Sequence, residues 1–360
     1  MTPLDAVAQV ISDTRRITAM PAPPFAEGAR AELVAYLFGE AGVAARIDET
    51  GNVIAAPDGR EGPNAVVFAA HLDTVFAAGT EIAFEEGDGR LAAPGVGDNS
   101  LAVAALLHLA RHLRGRELSR PVVLAATVGE EGLGDLRGAK ALLDDVDAGA
   151  FVAVEGQMLD ALKTAGVGSI RLRVTVRGPG GHPWSDRGTP SAVHGLVDLL
   201  AGALGEAHAA DVVLNVGVVR GGTVINAIAA EASAELDLRA EDDGALRGAA
   251  ARIEEVLAWS PEGLEVTVEP LGRRPGGRVA PDHPLVEAAR RARERAGLPP
   301  AEEGASSTDA NAAYGRGIAA ITVGVTTGGN AHRLDEYIDL GPVAKGLAAL
   351  EALADDIATA

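Results

Sequence analysis

The sequence predicts an α/β fold interrupted by a smaller α+β domain. Three observations carry this. Up to residue 164, short apolar runs alternate with segments of helical spacing, the pattern of a sheet with parallel strands and crossover helices. Near 164 the pattern changes, and residues 170–177 alternate apolar and polar side chains, as in a sheet with one wet face. After about 275 the first pattern returns. The simplest organisation is a discontinuous domain, residues 1–164 and 276–360, with an inserted domain at 165–275. A chain of 360 residues fits roughly two domains of about 150 residues each.

Each element follows from local pattern. Residues 4–19 and 27–42 space their apolar side chains for helices, and 53–56 and 65–70 read as strands. Asp98-Asn99-Ser100 resembles a helix start, followed by a run of Ala, Leu and Val from 101 to 113. Residues 121–128 form a buried strand, then come a Gly-rich loop, a helix near 137–144 and a short strand at 151–154. The inserted domain reads as a strand at 170–177, a helix at 190–205, strands at 212–219 and 229–239, a helix at 244–258 and a strand at 264–268. The last part carries a helix at 284–296, a buried strand at 318–323 and a final helix at 341–358.

Composition narrows the function. Hydrophobic residues at 47% and charged residues at 23% suit a globular protein with a large core. A net charge of -20 argues against nucleic acid or an anionic membrane surface as partner. It leaves room for an anionic substrate, because a metal and a few arginines can make a locally positive site. With no Cys, any transition-metal site must use His, Asp and Glu. The absence of Cys, of a signal-like N-terminus and of any run of about 18 apolar residues leads to the expectation of a cytoplasmic protein without a membrane span.

The candidate chemistry sits where predicted strands or their following loops end. His71 and Asp73 close the run 65–70. Asp98, Glu130-Glu131, Glu155 and His332 follow in comparable places. Each has an ordinary alternative: a hydrogen-bonded His, a helix N-cap at Asp98, a solvated acidic pair, a loop His. Together they converge on one crevice at the carboxyl ends of a sheet. Two His and several carboxylates suit a pair of Zn²⁺ ions with one carboxylate shared.

The order His-x-Asp, Gly-x-Gly-Asp-Asn, Glu-Glu-x-x-Gly, Glu-Gly and Asn-x-His resembles the di-zinc metallopeptidase and deacylase family. That family includes peptidase T, the glutamate carboxypeptidases, acetylornithine deacetylase, succinyl-diaminopimelate desuccinylase and aminoacylase. The resemblance covers nearly the whole chain. It implies a zinc-peptidase-like catalytic domain, with a central mixed sheet flanked by helices, and an inserted α+β sandwich that serves as lid and dimerisation domain. It implies two Zn²⁺ per subunit, replaceable by Co²⁺ or Mn²⁺. His71 and Glu155 would hold one ion, Glu131 and His332 the other, and Asp98 both, with a cis peptide at Asp98-Asn99. Asp73 would be the carboxylate behind the His71 ring. Glu130 would be the general base toward a zinc-bridging water, whose pKa falls from about 15.7 to about 7. Glu336, just after His332, is expected to orient it or to border the site.

The resemblance extends to substrate contacts. His182, in the turn Gly178-Pro179-Gly180-Gly181-His182, would stabilise the oxyanion. Asn226, Arg239 and, less closely matched, Arg274 would contact substrate, arginine being suited to carboxylates. Ser306-Ser307-Thr308-Asp309-Ala310-Asn311 matches a loop lining the substrate site, which places Thr308 and Asp309 there; the same residues also suit a helix N-cap. The expected activity is an exopeptidase similar to tripeptide aminopeptidase, acting on a small peptide as a homodimer through the inserted domain. The alternatives are an N-acyl-amino-acid deacylase, and a homologue without activity that serves as a binding or scaffold module.

Overall fold

A strand whose side chains are buried at every position must lie between two layers, and Ala65–His71 is such a strand. In the computed structural model, which describes residues 3–210 and 212–358, it pairs in parallel with Val122–Thr127 on one side and Ala148–Glu155 on the other. Across the sheet the order is Ala45–Ile47, Val53–Ala55, Val122–Thr127, Ala65–His71, Ala148–Glu155, Ala320–Gly324 and Ala161–Gly166. The first two strands run antiparallel to their neighbours and Ala161–Gly166 runs antiparallel to Ala320–Gly324, so the sheet is mixed.

Its two faces bury alternate residues of the same strands. Val66, Phe68 and Ala70 belong to one core, with residues of the helices Pro3–Thr18, Gly28–Glu40, Leu101–Leu113, Pro284–Arg295 and Val343–Ala358. Ala65, Val67 and Ala69 belong to a second core, with the helices Arg137–Asp145 and Ala310–Tyr314. The continuous apolar run at 65–70 is the sequence trace of this double burial.

The chain divides into two compact units, Met1–Gly166 with Arg278–Ala360, and Val167–Gly277. The second is a four-stranded antiparallel sheet, ordered Val213–Gly221, Glu231–Ala240, Gly168–Arg177, Glu265–Arg274. Leu172, Val174, Val176, Leu236 and Leu238 pack on one face against Ala192–Ala209 and Asp243–Leu257. The other face carries ion pairs, Arg173 with Glu235 at 2.9 Å and Arg177 with Glu231 at 2.8 Å. This is the wet face that the alternation at 170–177 predicts.

Several short strands were not expected. Glu85–Gly87, Arg90–Ala92, Glu302–Ser306 and Tyr337–Asp339 are too short or too exposed to show an apolar period. They form by pairing with partners distant in sequence, as Tyr337–Asp339 does with Arg90–Ala92. No helix among the described residues is long and apolar enough to cross a membrane.

One buried charge ties the first unit together. Arg30 stands on the core face of Gly28–Glu40, in phase with Val34, Leu37 and Phe38, and is 2% exposed. Its Nε donates to the Met20 carbonyl and its Nη1 to the Leu72 carbonyl, both at 2.7 Å. Burial lowers its pKa to about 10, and the Asp73 carboxylate opposes that shift. Arg30→Met leaves the buried Leu72 carbonyl unpaired, at about 1–3 kcal/mol, and the half-buried Met20 carbonyl without its donor. Urea unfolding should show that loss, and an unchanged midpoint would remove Arg30 from the framework.

Candidate metal centre

Three adjacent parallel strands deliver ligands to one edge of the sheet. His71 and Glu155 are the last residues of Ala65–His71 and Ala148–Glu155, and Glu130 and Glu131 stand in the loop after Val122–Thr127. Asp98 comes from the turn Val96–Ser100, ahead of helix Leu101–Leu113. His332 lies in the loop between Gly328–Gly329 and Tyr337–Asp339.

Asp98 is the shared element. Its Oδ1 is 3.0 Å from His71 Nε2, and its Oδ2 is 3.0 Å from His332 Nε2. Glu155 approaches His71 Nε2 at 3.8 Å, and Glu131 approaches His332 Nε2 at 3.1 Å. Two ligand sets result, His71/Asp98/Glu155 and Asp98/Glu131/His332, and the donor atoms within each lie within 4.8 Å of one another. Glu130 joins a third such group with His71 and Glu131. Imidazole nitrogens and carboxylate oxygens in two sets with one common carboxylate fit a pair of divalent transition ions.

Backbone hydrogen bonds hold the set in place. The His71 Nδ1–H donates to the Asp73 carbonyl at 2.9 Å, which directs Nε2 toward Asp98 and Glu155. The Asp73 carboxylate, expected behind this ring, approaches Nδ1 at 3.8 Å through Oδ1. The carboxylate instead accepts the backbone N–H groups of Glu130 at 2.9 Å and Glu131 at 2.8 Å. Two peptide donors already satisfy it, and its task is to set the loop that carries those glutamates. Glu336 is fully buried and accepts from the backbone of Gly95, Gly97 and Asp98, so it borders the centre and orients the Asp98 turn. Gly95 suits that turn, since its φ of 74° disfavours a side chain and a Cβ there would meet Thr74 at 2.7 Å.

Asn99 escaped the sequence analysis as anything but a motif letter. After the cis peptide Asp98-Asn99, its Nδ2 donates to the Val154 carbonyl at 3.0 Å and its Oδ1 accepts from Gly156 N–H at 2.8 Å. It grips the backbone on both sides of Glu155. Arg30 escaped too, although a charged residue on the apolar stripe of a helix is a readable signal.

Charge is concentrated at the centre. Desolvation works against an ionised Asp98, yet hydrogen bonds from His332 and His71 hold it far below the usual carboxylate range. Burial opposes charge on His71, but Asp98, Glu155 and Glu130 raise its pKa well above the normal value. His332 is raised to about 10 by Asp98 and Glu131. Burial pushes Glu155 well up, helped by Asp98 and Glu130. Glu336 is raised by burial to about 7, against three N–H donors that favour its ionised form.

Asp309 acts on the centre as well, its charge adding to the upward push on Glu155. Thr308 and Asp309 are 6% and 3% exposed. Thr308 Oγ1 bonds Thr322 Oγ1 at 2.8 Å, and Asp309 accepts from Thr127 Oγ1 at 2.5 Å. Both bonds tie strand ends together, because buried polar groups satisfy one another first. His182, Asn226, Arg239 and Arg274 belong to the unit Val167–Gly277. His182 is exposed, and its Nδ1 accepts from the backbone N–H of Trp184 and Ser185, both at 3.3 Å. The loop carrying Asn226 lies beside that turn through the bridge between Gly181 and Ile228. Arg239 is held by Asp237 through Nε at 3.0 Å and Nη2 at 2.9 Å, so it is part of the charged sheet face. Arg274, expected to contact substrate, is buried, with 5% of its surface exposed.

Comparison with known proteins agrees with this architecture. The sequence profile of peptidase family M20/M25/M40 matches residues 67–356. No curated protein matches the sequence. Among solved structures, aminopeptidase PepT from Bacillus cereus ATCC 10987 superposes with a TM-score of 0.77 at 22% identity, covering 98% of each chain. A tripeptidase from Staphylococcus aureus subsp. aureus Mu50 gives 0.78 at 19%, covering 96% of this chain and 97% of the other. A dinuclear metal-binding M20 peptidase from Bacillus subtilis gives 0.68 at 18%, covering 98% and 99%. At these identities the likeness is one of fold.

Two outcomes are expected. Metal must displace the protons that His71 and His332 hold in the ion-free site. Apparent Zn²⁺ affinity should therefore rise with pH across the neutral range, up to about pH 10 for His332. Calorimetric titration of chelator-treated protein in buffers of different ionisation enthalpy measures the proton release, and a buffer-independent enthalpy would contradict it. Glu336→Gln sets an amide donor against backbone N–H groups and should weaken metal binding by about 10–100-fold. A competitive chelator assay reads that change.

Proposed function

The chain belongs to peptidase family M20/M25/M40, hydrolases of amide bonds, and from that premise we propose that it is a di-zinc exopeptidase acting on a small peptide, in the manner of a tripeptide aminopeptidase. The observation that carries the proposal is the pair of ligand sets sharing Asp98, with Glu130 beside them. The likeness to PepT and to a tripeptidase supports the peptide as substrate class.

In this proposal His71 and Glu155 hold one ion, Glu131 and His332 hold the other, and Asp98 holds both. Two Zn²⁺ ions supply Lewis acidity, which polarises a carbonyl and makes water acidic near neutral pH. Glu130 accepts the proton of the attacking water and passes it to the departing amine. Its burial, with 6% of its surface exposed, keeps bulk water from competing for that proton. Asp73 fixes the backbone of Glu130 and Glu131 together, so base and ligand keep one spacing.

We further propose His182 and Asn226 of the inserted unit as substrate contacts. His182 Nδ1 accepts two backbone N–H bonds, which leaves Nε2 as a donor suited to a developing oxyanion. Asn226 is exposed on the neighbouring loop. The unit forms a homodimer through the edge strand Val213–Gly221 and the helix Ala192–Ala209. Val213, Val219, Val197 and Leu204 are exposed there at 65%, 61%, 58% and 46%, and an edge strand whose one charge, Arg220, stands near its end invites pairing.

Glu130→Gln is expected to retain zinc and lose about 10²–10⁴ in kcat. Metal analysis alongside steady-state assay tests this, and full activity would remove Glu130 from the mechanism. A panel of free-amine tripeptides against N-acetyl and N-succinyl amino acids separates peptidase from deacylase. Turnover of acylated substrates alone would overturn the peptidase assignment. Sedimentation of a strict monomer would overturn the dimer.

A further inference from the structure

Single apolar side chains scattered over a surface carry little meaning. Three on the catalytic unit are not scattered. Val75, Leu133 and Leu334 are 41%, 53% and 67% exposed. Each stands two residues beyond a candidate ligand, Glu131 or His332, or beyond Asp73, whose carboxylate holds the Glu131 backbone at 2.8 Å. At each point the chain emerges from the metal centre into solvent. Leu72, Asp73 and Thr74 are buried, and Val75 is the first exposed residue after them. Leu133 occupies the turn Gly132–Gly134, closed by Gly134 N–H to the Glu131 carbonyl at 2.9 Å. Leu334 follows Arg333, whose N–H bonds the Asn330 carbonyl at 3.0 Å. The Glu131 carboxylate and the His332 ring are 3.1 Å apart, so their two turns are neighbours.

The charges nearby are already matched. Arg333 pairs with Asp335 at 2.9 Å, Arg137 with Glu27 at 2.6 Å, and Lys140 with Asp135 at 2.6 Å. The centre holds four carboxylates, Asp98, Glu130, Glu131 and Glu155, whose formal charge two divalent ions cancel. Resting on the amide-hydrolase proposal above, we infer that Val75, Leu133 and Leu334 form an apolar rim that selects substrates with an uncharged, apolar side chain beside the scissile bond. Burying such a side chain on this rim is favourable, and a charged one would lose hydration without gaining a partner.

The test uses the full-length, zinc-loaded protein and the double variant Leu133→Ser/Leu334→Ser, whose exposed positions leave the core intact. Leu-Gly-Gly and Gly-Leu-Gly are compared with Asp-Gly-Gly, Gly-Asp-Gly and triglycine. Calorimetry adds a readout independent of turnover, the binding of a leucyl tripeptide with a reduced scissile bond. The wild type should favour a leucyl peptide over its aspartyl counterpart. The variant should lower the ratio of leucyl to triglycine kcat/KM about ten-fold and weaken binding of the reduced peptide about as much. Metal content and unfolding midpoint should stay the same. Equal use of leucyl and aspartyl peptides, or a variant with preference and binding unchanged, overturns the rim. If no peptide is cleaved, the peptidase proposal falls, and the calorimetric comparison alone decides the rim.

Discussion

Like charges brought into one crevice repel, and the rest of this structure depends on how that repulsion is contained. Asp98, Glu130, Glu131 and Glu155 meet at the carboxyl ends of three parallel strands. Bringing buried carboxylates together is costly unless cations or donors compensate. In the ion-free site the two imidazoles serve, one on each oxygen of Asp98. Their raised proton affinity and the shared carboxylate are two views of one arrangement, and divalent ions would take the place of those protons.

Compensation alone would not keep the groups in register, and the apolar core does that work. Ala65–His71 packs alternate residues into two separate cores, so it cannot shift without exposing one face or the other. Beyond the strand ends, order passes to peptide N–H groups. Asp73 and Glu336, two acids that hold no candidate ion, fix the loops bearing Glu130, Glu131 and Asp98 through backbone donors. Asn99 fixes the backbone around Glu155 through the same kind of bond. Ligand side chains stay available because supporting groups grip the main chain. Arg30 adds a buried positive charge, sustained by the Asp73 carboxylate, while holding the Leu72 carbonyl.

Much of the fold was legible because burial writes itself into composition. Strands covered on both faces appear as unbroken apolar runs, and the sheet with one wet face appears as alternation. Glu302–Ser306 was illegible, since its residues suit a loop equally well and only its parallel pairing with Ala161–Gly166 makes it a strand. At the site, spacing suggested that Asp73 would meet the ring of His71. The turn after the strand instead turns its carboxylate to the next loop, a choice no local pattern records. Thr308, Asp309 and Arg239 were read as substrate contacts, and the bonds they make to Thr322, Thr127 and Asp237 leave no trace in local spacing.

The sequence by itself determined the inventory: an α/β sheet, an interrupting α+β segment, and a set of His, Asp and Glu without Cys. Those properties are local, carried by the period of apolar residues and by the ligand chemistry of single side chains. The tertiary structure alone decided which oxygen of Asp98 faces which histidine, which acids bind backbone, and which apolar side chains stand at the mouth of the centre. Such relations join residues as far apart as Asp98 and Glu336, and only the packing of the sheet and its helices brings their atoms within reach.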